Sequence, residues 1–135
     1  MQTLGLRSLT SLLDGGFLDL YTSPRPSTPD DPVPQGAIRL ASLRLGAPAF
    51  KLPIDGVAHA NPIDPDSDAS GSGNASWYRL WRADHATAMF DGSVGVPPQE
   101  GEETPDLVLP NVTILSHVEI VITRFILASA GRRLR

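Results

Sequence analysis

The chain has 135 residues, a formal net charge of −4 at pH 7 and no cysteine. One hydrophobic core suffices at this length, so we expect a single domain over residues 1–135. The acidic balance argues against nucleic-acid binding, which needs a basic face. No apolar run approaches the roughly 20 residues that cross a bilayer, so no membrane partner is expected. Disulfides and thiol chemistry are excluded because cysteine is absent.

Residues 3–14 predict a short amphipathic helix. Leucines recur at helical spacing between Leu6 and Leu13, which gives the segment one apolar face. Gly15-Gly16 follows as a helix stop signal. We therefore expect this helix to pack on the domain that follows.

The next segment predicts two strands separated by a long loop. Phe17 to Thr22 has strand character, and five prolines in residues 23–36 indicate an extended loop. Residues 37–45 resume strand character, with the apolar phase shifting between Leu40 and Leu43. That shift indicates a β-bulge or a strand that is covered on both faces.

Short strands are predicted at residues 49–52 and 57–60, on either side of a turn at Asp55-Gly56. Residues 61–74 contain prolines, aspartates and a Ser/Gly cluster, which predict a second long loop.

Asp64, Asp66 and Asp68 have the alternate spacing of oxygen ligands at the start of a calcium loop. The sixth and twelfth positions are Ala69 and Ala75 instead of glycine and glutamate, so the segment is not an EF-hand. Two interpretations stay open for the three aspartates, a looser Ca²⁺ site and a solvated acidic loop. The solvated loop is the favoured one, and no metal or other cofactor is expected.

Residues 77–82 and 87–90 predict a β-hairpin with a four-residue connection at 83–86. The return strand is expected to end at Asp91-Gly92, because Asp-Gly is a turn signal.

Strand alternation places Trp77, Arg79 and Trp81 on one face of this hairpin. The two indoles form a stacking platform for a sugar ring in one interpretation. In the favoured alternative they are covered by the core, the helix or a neighbouring subunit, and Arg79 stacks between them. These three residues are our partner-binding candidates, because Trp and Arg are enriched at protein contacts.

The remaining chain predicts a third long loop and several strands. Residues 96–106 combine two prolines with an acidic cluster, and short strands are expected at 107–109 and 112–115. A turn at Ser116-His117 should precede the longest strand, at residues 118–127.

Residues 128–135 form a basic C-terminal tail. Arg132, Arg133 and Arg135 are further partner-binding candidates, because they could hold an acidic neighbour or a phosphate backbone. A solvated chain end is the simpler interpretation.

Eight or nine short strands with many turns predict an all-β domain, an antiparallel β-sandwich of jelly-roll type. The motifs of an enzyme are missing from the sequence. His59, His85 and His117 lack the paired spacing of zinc ligands, and Asp84-His85 is accompanied by no G-x-S-x-G nucleophile motif. We therefore expect a protein that is not an enzyme.

The order of elements resembles a family of small structural proteins of tailed bacteriophage virions. The stretches that carry the likeness are Leu20-Tyr21-Thr22, Ile38 to Phe50 (IRLASLRLGAPAF), Gly73 to Trp81 (GNASWYRLW), Asp91 to Gly95 (DGSVG), and Leu107 to Leu109 leading to Val112 to Ile114. These are strand and turn patterns and contain no catalytic signature. The loop at 96–106 and the arginine-rich tail depart from the family pattern.

This resemblance implies a virion component that is assembled in the host cytoplasm. Its most direct form is a capsid decoration or cement protein, a homo-oligomer that binds the major capsid protein or other virion subunits. Two alternatives stay open: a tail, baseplate or fibre-associated protein, and a carbohydrate-binding β-sandwich module that uses Trp77 and Trp81.

Overall fold

The computed structural model describes residues 10–66, 69–122 and 125–128. These residues form an all-β fold, as the sequence predicted. Its strands are β1 (Phe17–Tyr21), β2 (Arg39–Arg44), β3 (Val57–His59), β4 (Gly73–Asn74), β5 (Trp77–Trp81), β6 (Ala88–Gly95), β7 (Leu107–Val108), β8 (Thr113–Ile114) and β9 (Ile126–Ala128). No helix within these ranges is long and apolar enough to span a bilayer.

The strands form three small sheets. The largest has the order β2-β1-β5-β6-β7, and the pairs β3-β9 and β4-β8 are separate. All strand pairs are antiparallel except β6-β7, which is parallel, so the expectation of a purely antiparallel fold was wrong at this point. The loop at residues 96–106 is long enough to return the chain for a parallel pairing, which a tight hairpin cannot do.

The predicted helix at residues 3–14 lies largely outside the described residues. Its last part is visible as a helical turn at Thr10 and Ser11. The amide of Leu13 donates to the carbonyl of Thr10 at 3.0 Å, and the amide of Gly16 donates to that of Leu13 at 2.8 Å. The chain then enters β1 directly.

Leu40 is the extra residue of a β-bulge in β2. Leu20 pairs with Ala41, but Tyr21 pairs with Arg39, so Leu40 has no opposite residue on β1. Leu40 and Leu43 are both fully buried. The predicted change of phase is therefore confirmed, and the bulge is what allows both leucines to be buried.

Residues 51–60 form a hairpin around the predicted Asp55-Gly56 turn. Both turn residues have positive φ, 54° and 76°, which is the signature of a type I′ turn. The amides of Ile54 and Val57 each donate to the other residue's carbonyl, at 2.8 and 3.0 Å. The preceding strand is shorter than predicted, because Phe50 alone forms a bridge, with Ala60.

Asp91-Gly92 is not a turn, which corrects the predicted end of the hairpin's return strand. Both residues lie inside β6, where Gly92 pairs with Tyr78 of β5. A Cβ atom on Gly92 would lie 2.3 Å from Cζ of Tyr78, so the tyrosine ring occupies the space above this glycine. Glycine is needed here for close packing and not for a change of chain direction.

The prediction of one long strand at residues 118–127 was also wrong. Ile120 forms a single bridge with Asp66, and β9 begins only at Ile126; residues 123–124 lie outside the described part. The amide of Ala69 donates to the carbonyl of Val118 at 3.1 Å. This stretch therefore pairs with the predicted loop at 61–74, which itself contains bridges and ends in β4. The turn at Ser116-His117 is present.

The hydrophobic core lies on one face of the large sheet and extends to the smaller sheets. Its largest contributions come from buried leucines and aromatic residues: Leu18, Leu20, Leu40, Leu43, Tyr78, Leu80, Leu107, Phe125 and Leu127. Tyr78 meets Phe125 edge-on, with ring centroids 5.3 Å apart. The β3-β9 pair therefore packs on the apolar face of the large sheet, and the opposite face carries the polar and aromatic side chains.

Candidate functional site

The opposite face of the large sheet carries a layer of alternating aromatic and charged side chains. Directly opposed residues of β1 and β5 build it: Phe17 with Trp81, Asp19 with Arg79, and Tyr21 with Trp77. Opposed residues in an antiparallel pair project to the same side, so these six side chains share one face. We call this set, together with Asp91 of β6, the aromatic-ionic layer.

Arg79 lies at the centre of the aromatic-ionic layer. Its guanidinium binds the Asp91 carboxylate in a bidentate geometry, with Nε–Oδ1 at 2.7 Å and Nη2–Oδ2 at 3.0 Å. The same guanidinium lies 5.5 Å from the ring centre of Trp77 and 5.6 Å from that of Trp81. The predicted cation-π stacking of Arg79 between the two indoles is confirmed.

Asp19 is the second buried acidic group of the layer, and its exposed fraction is only 1%. Its carboxylate accepts hydrogen bonds from the hydroxyls of Ser42 and Tyr21, at 2.5 and 3.3 Å. Nε2 of His85 is 2.8 Å away, and the guanidinium of Arg39 is 3.9 Å away. Burial, reinforced by the neighbouring Asp19 charge, raises the pKa of Tyr21 above its usual value.

His85 reaches this layer from the turn between β5 and β6. Its φ of 55° places it in the left-handed region, and its ring stacks on Phe17 with centroids 4.0 Å apart. Asp84 does not orient His85, because its carboxylate accepts the amides of Ala86 and Thr87 at 2.8 and 2.9 Å. These bonds, and above all the bond from the Thr87 hydroxyl, lower the pKa of Asp84 to about 2.

The arrangement of Ser42, Asp19 and His85 differs from a hydrolase triad. A nucleophilic serine needs the imidazole as its direct partner, with the carboxylate behind the imidazole. Here the Asp19 carboxylate lies in the middle and contacts both the serine hydroxyl and His85. The geometry therefore describes a carboxylate held by its neighbours, which is a structural role.

The loop at residues 23–36 covers the aromatic-ionic layer. The carbonyl of Thr28 accepts a hydrogen bond from Nη2 of Arg79 at 3.3 Å, and Arg25 donates to the carbonyl of Asp91 at 3.2 Å. The indole N–H of Trp77 donates to the carbonyl of Thr22 at 2.8 Å, and Trp77 is fully buried. Trp77 therefore presents no surface to a sugar or a partner, which corrects the platform of two tryptophans.

A cleft remains between this loop and the β5-β6 hairpin. It has a volume of about 520 Å³ and is lined by Pro29, Asp30, Asp31, Pro32 and Val33 on one side and by Arg79, Trp81, Ala86, Thr87 and Ala88 on the other. Trp81 is partly exposed and is the one aromatic residue among those described that line the cleft. We call it the Trp81 cleft.

The two calcium candidates that the structure describes have different kinds of partner. The backbone amide of Asp64 donates to the carbonyl of Arg44 at 2.9 Å, whereas the carboxylate of Asp66 accepts the amide of Ser42 at 2.8 Å. Asp68 lies outside the described residues. In the ranges that the structure describes, no group of three acidic or histidine side chains could hold a metal ion.

The six predicted partner-binding residues belong either to the aromatic-ionic layer or to the predicted C-terminal tail, residues 128–135. The layer brings Trp77, Arg79 and Trp81 together, whereas Arg132, Arg133 and Arg135 lie outside the described part of the chain.

The acidic partners of Arg79 and His85 were missed. The sequence contains a pattern that could have identified Asp19. In Phe17–Tyr21, as in Trp77–Trp81, a charged residue lies between two aromatic residues at alternate positions of a five-residue strand. Asp91 was missed because Asp91-Gly92 has the composition of a turn, whereas both residues lie in the strand β6.

The chain has no match among protein-family models, curated proteins or solved structures. Functional inference therefore depends on the geometry described above, and the likeness to phage virion proteins stays a prediction from the sequence.

Proposed function

We propose that this chain is a structural virion protein of a tailed bacteriophage, a decoration protein that stabilises the head by bridging capsid subunits. The resemblance of its strand and turn motifs supplies the class of protein. The observation that supports a binding role is a pair of exposed apolar side chains on the 51–60 hairpin.

Leu52 and Ile54 are 67% and 72% exposed, although both are large and apolar. They precede the type I′ turn at Asp55-Gly56, which fixes the position of the hairpin end. Burying one such side chain at an interface contributes about 1.5–3 kcal/mol. A hairpin that carries two of them is suited to inserting between capsid subunits.

A second pair of exposed apolar side chains lies at the turn before Ile120. Leu115 and Val118 are 60% and 47% exposed and flank the turn at Ser116-His117. Two separate apolar contact points would allow one molecule to touch two capsid subunits, which is what bridging requires.

The polar side chains of the chain support this assignment in a different way. Asp19, Arg79 and Asp91 are buried and bind one another or their neighbours in the sheet. In this proposal the aromatic-ionic layer holds the scaffold, and the exposed turns make the contacts. The small sheets β3-β9 and β4-β8 then serve as the second layer of the β-sandwich that the resemblance implies.

The test is binding of the purified chain to phage heads that lack it. We expect the wild-type chain to co-sediment with heads and to raise the temperature at which they disrupt. The double variant Leu52→Ser/Ile54→Thr should bind at least tenfold more weakly, because it loses the apolar contact of the hairpin.

The matched control is Val96→Thr, which changes an exposed apolar residue in another loop and should bind as the wild type does. Urea unfolding would establish that all three proteins are folded. Failure of the wild-type chain to bind heads would contradict the proposal, and binding to tails instead would favour the tail or baseplate alternative.

A further inference from the structure

We propose that the Trp81 cleft is a carbohydrate-binding site in which the indole of Trp81 packs against the apolar face of a sugar ring. This inference is independent of the proposed role in the head, because the cleft and the 51–60 hairpin share no residue.

The size and lining of the cleft suit a small ligand. Ligand pockets typically measure about 300–1,000 Å³ and combine apolar walls with a few polar groups, and the cleft of about 520 Å³ lies within that range. The apolar part of its lining includes Pro29, Pro32, Val33, Trp81 and Ala88.

The charges around the cleft disfavour an anion. The Arg79 guanidinium lies 5.6 Å from the ring centre of Trp81 but is already paired with Asp91, so it offers no free positive charge to a ligand. An anion would meet the carboxylates of Asp30 and Asp31 at the rim. A neutral ligand that has an apolar face and several hydroxyl groups avoids this repulsion, can pack on the indole and can donate hydrogen bonds to these carboxylates, and sugars have this chemistry.

The cleft also offers acceptors for sugar hydroxyls. Asp30 is exposed at the rim, and its carboxylate forms no hydrogen bond or ion pair with any residue the structure describes. A charged acceptor forms a stronger hydrogen bond to a ligand hydroxyl than a neutral acceptor does. Asp30 is therefore the polar residue we expect to orient the sugar.

The loop wall of the cleft is ordered before a ligand binds. The amide of Asp31 donates to the carbonyl of Thr28 at 3.1 Å, and the amide of Asp30 donates to the Thr28 hydroxyl at 3.2 Å. Pro29 fixes the backbone within this turn. Because Arg79 also donates to the Thr28 carbonyl, the loop is tied to the sheet and loses little freedom on binding.

Calorimetric titration of the full chain with glucose, galactose, mannose, N-acetylglucosamine and their disaccharides tests the inference. We expect at least one of these probes to bind with Kd below about 10 mM. The same probe should protect part of the tryptophan fluorescence from acrylamide, because Trp81 is partly exposed whereas Trp77 is buried.

Variants then locate the site. Trp81→Ala should weaken binding at least tenfold, whereas Trp81→Phe should retain most of it because an aromatic surface remains. Asp30→Asn should weaken binding by roughly tenfold and is the variant least able to disturb folding, because Asp30 is exposed. Asp55→Asn, an exposed aspartate in the other hairpin, is the matched control and should bind like the wild type.

Three results would overturn the inference. The first is the absence of binding for every sugar in the panel. The second is sugar binding that Asp30→Asn and Trp81→Ala leave unchanged. The third is binding of tetramethylammonium in place of the sugars, which would identify a cation site.

Discussion

Arg79 and Asp91 face each other across β5 and β6 and form a bidentate ion pair inside the fold. Their side chains are only 2% and 3% exposed, and two indoles flank the guanidinium. Buried charges need complete pairing, because an isolated one is costly to hold away from water. The pair therefore joins β5 to β6 next to the Trp81 cleft, which Arg79 also lines.

Removing one partner of this pair should destabilise the fold strongly. We expect Arg79→Met and Asp91→Leu each to lower the free energy of unfolding by about 3–5 kcal/mol, because each leaves a buried charge unpaired. The double variant Arg79→Met/Asp91→Leu should lose less free energy of unfolding than the two single variants lose together. Urea unfolding of the four proteins forms a double-mutant cycle that measures the coupling.

Arg82→Met is the control for this cycle, since Arg82 is exposed immediately after β5. It should change the free energy of unfolding by no more than about 0.5 kcal/mol. Additive losses in the double variant would show that Arg79 and Asp91 are not coupled.

Gly92→Ala should destabilise the fold through a clash. The added Cβ would lie 2.3–2.4 Å from ring atoms of Tyr78, which is itself fully buried. Overpacking of this kind typically costs about 1–3 kcal/mol, and a lower midpoint of thermal unfolding would report it. In a Tyr78→Leu background, Gly92→Ala should cost less stability than it does in the wild type, because the ring that clashes is removed.

Gly36→Ala is the matched substitution, since the nearest atom to its Cβ would be Cδ of Pro24 at an ordinary 3.5 Å. Gly36→Ala should leave the midpoint of thermal unfolding unchanged or raise it slightly. Equal effects of Gly92→Ala and Gly36→Ala would mean that the Tyr78 ring does not occupy the position described.

Asp84 should titrate well below an ordinary aspartate. The hydroxyl and amide of Thr87 and the amide of Ala86 stabilise its charged form and lower its pKa from 3.8 to about 2. Because the pKa is lowered in the folded state, the contribution to stability is present above about pH 4 and is lost as the pH falls through 2. Carboxyl chemical shifts in an NMR titration would give the midpoint.

Thr87→Val tests the cause, because the bond from the Thr87 hydroxyl has the largest effect on the pKa of Asp84. In this variant we expect the pKa of Asp84 to rise toward its ordinary value of 3.8. An unchanged midpoint in Thr87→Val would rule out this hydroxyl as the main cause.

The sequence predicted local structure best where residue alternation and turn chemistry agree. The alternation of residues 77–81 predicted β5 and the stacking of Arg79 between the indoles. The positive φ of Asp55 and Gly56 is the conformation that Asp-Gly favours. Both features depend on neighbours along the chain, which a single sequence displays directly.

Long-range pairing could not be predicted in the same way. Asp91-Gly92 has the composition of a turn, but it is extended because Arg79 and Tyr78 of the neighbouring strand pair with it. Ile120 bridges Asp66, so a segment rich in β-branched residues is divided by a pairing that its own pattern does not contain. The cleft depends on the loop at 23–36 folding over the sheet, which also requires contacts distant in sequence.

The proposed structural role in a phage head is tested most directly by the copy number of this chain in purified virions. Quantitative mass spectrometry of particles from a phage whose genome encodes this chain would compare its copy number with that of the major capsid protein. The decoration role predicts a fixed and near-stoichiometric ratio between the two. A handful of copies in each particle, or none, would contradict it.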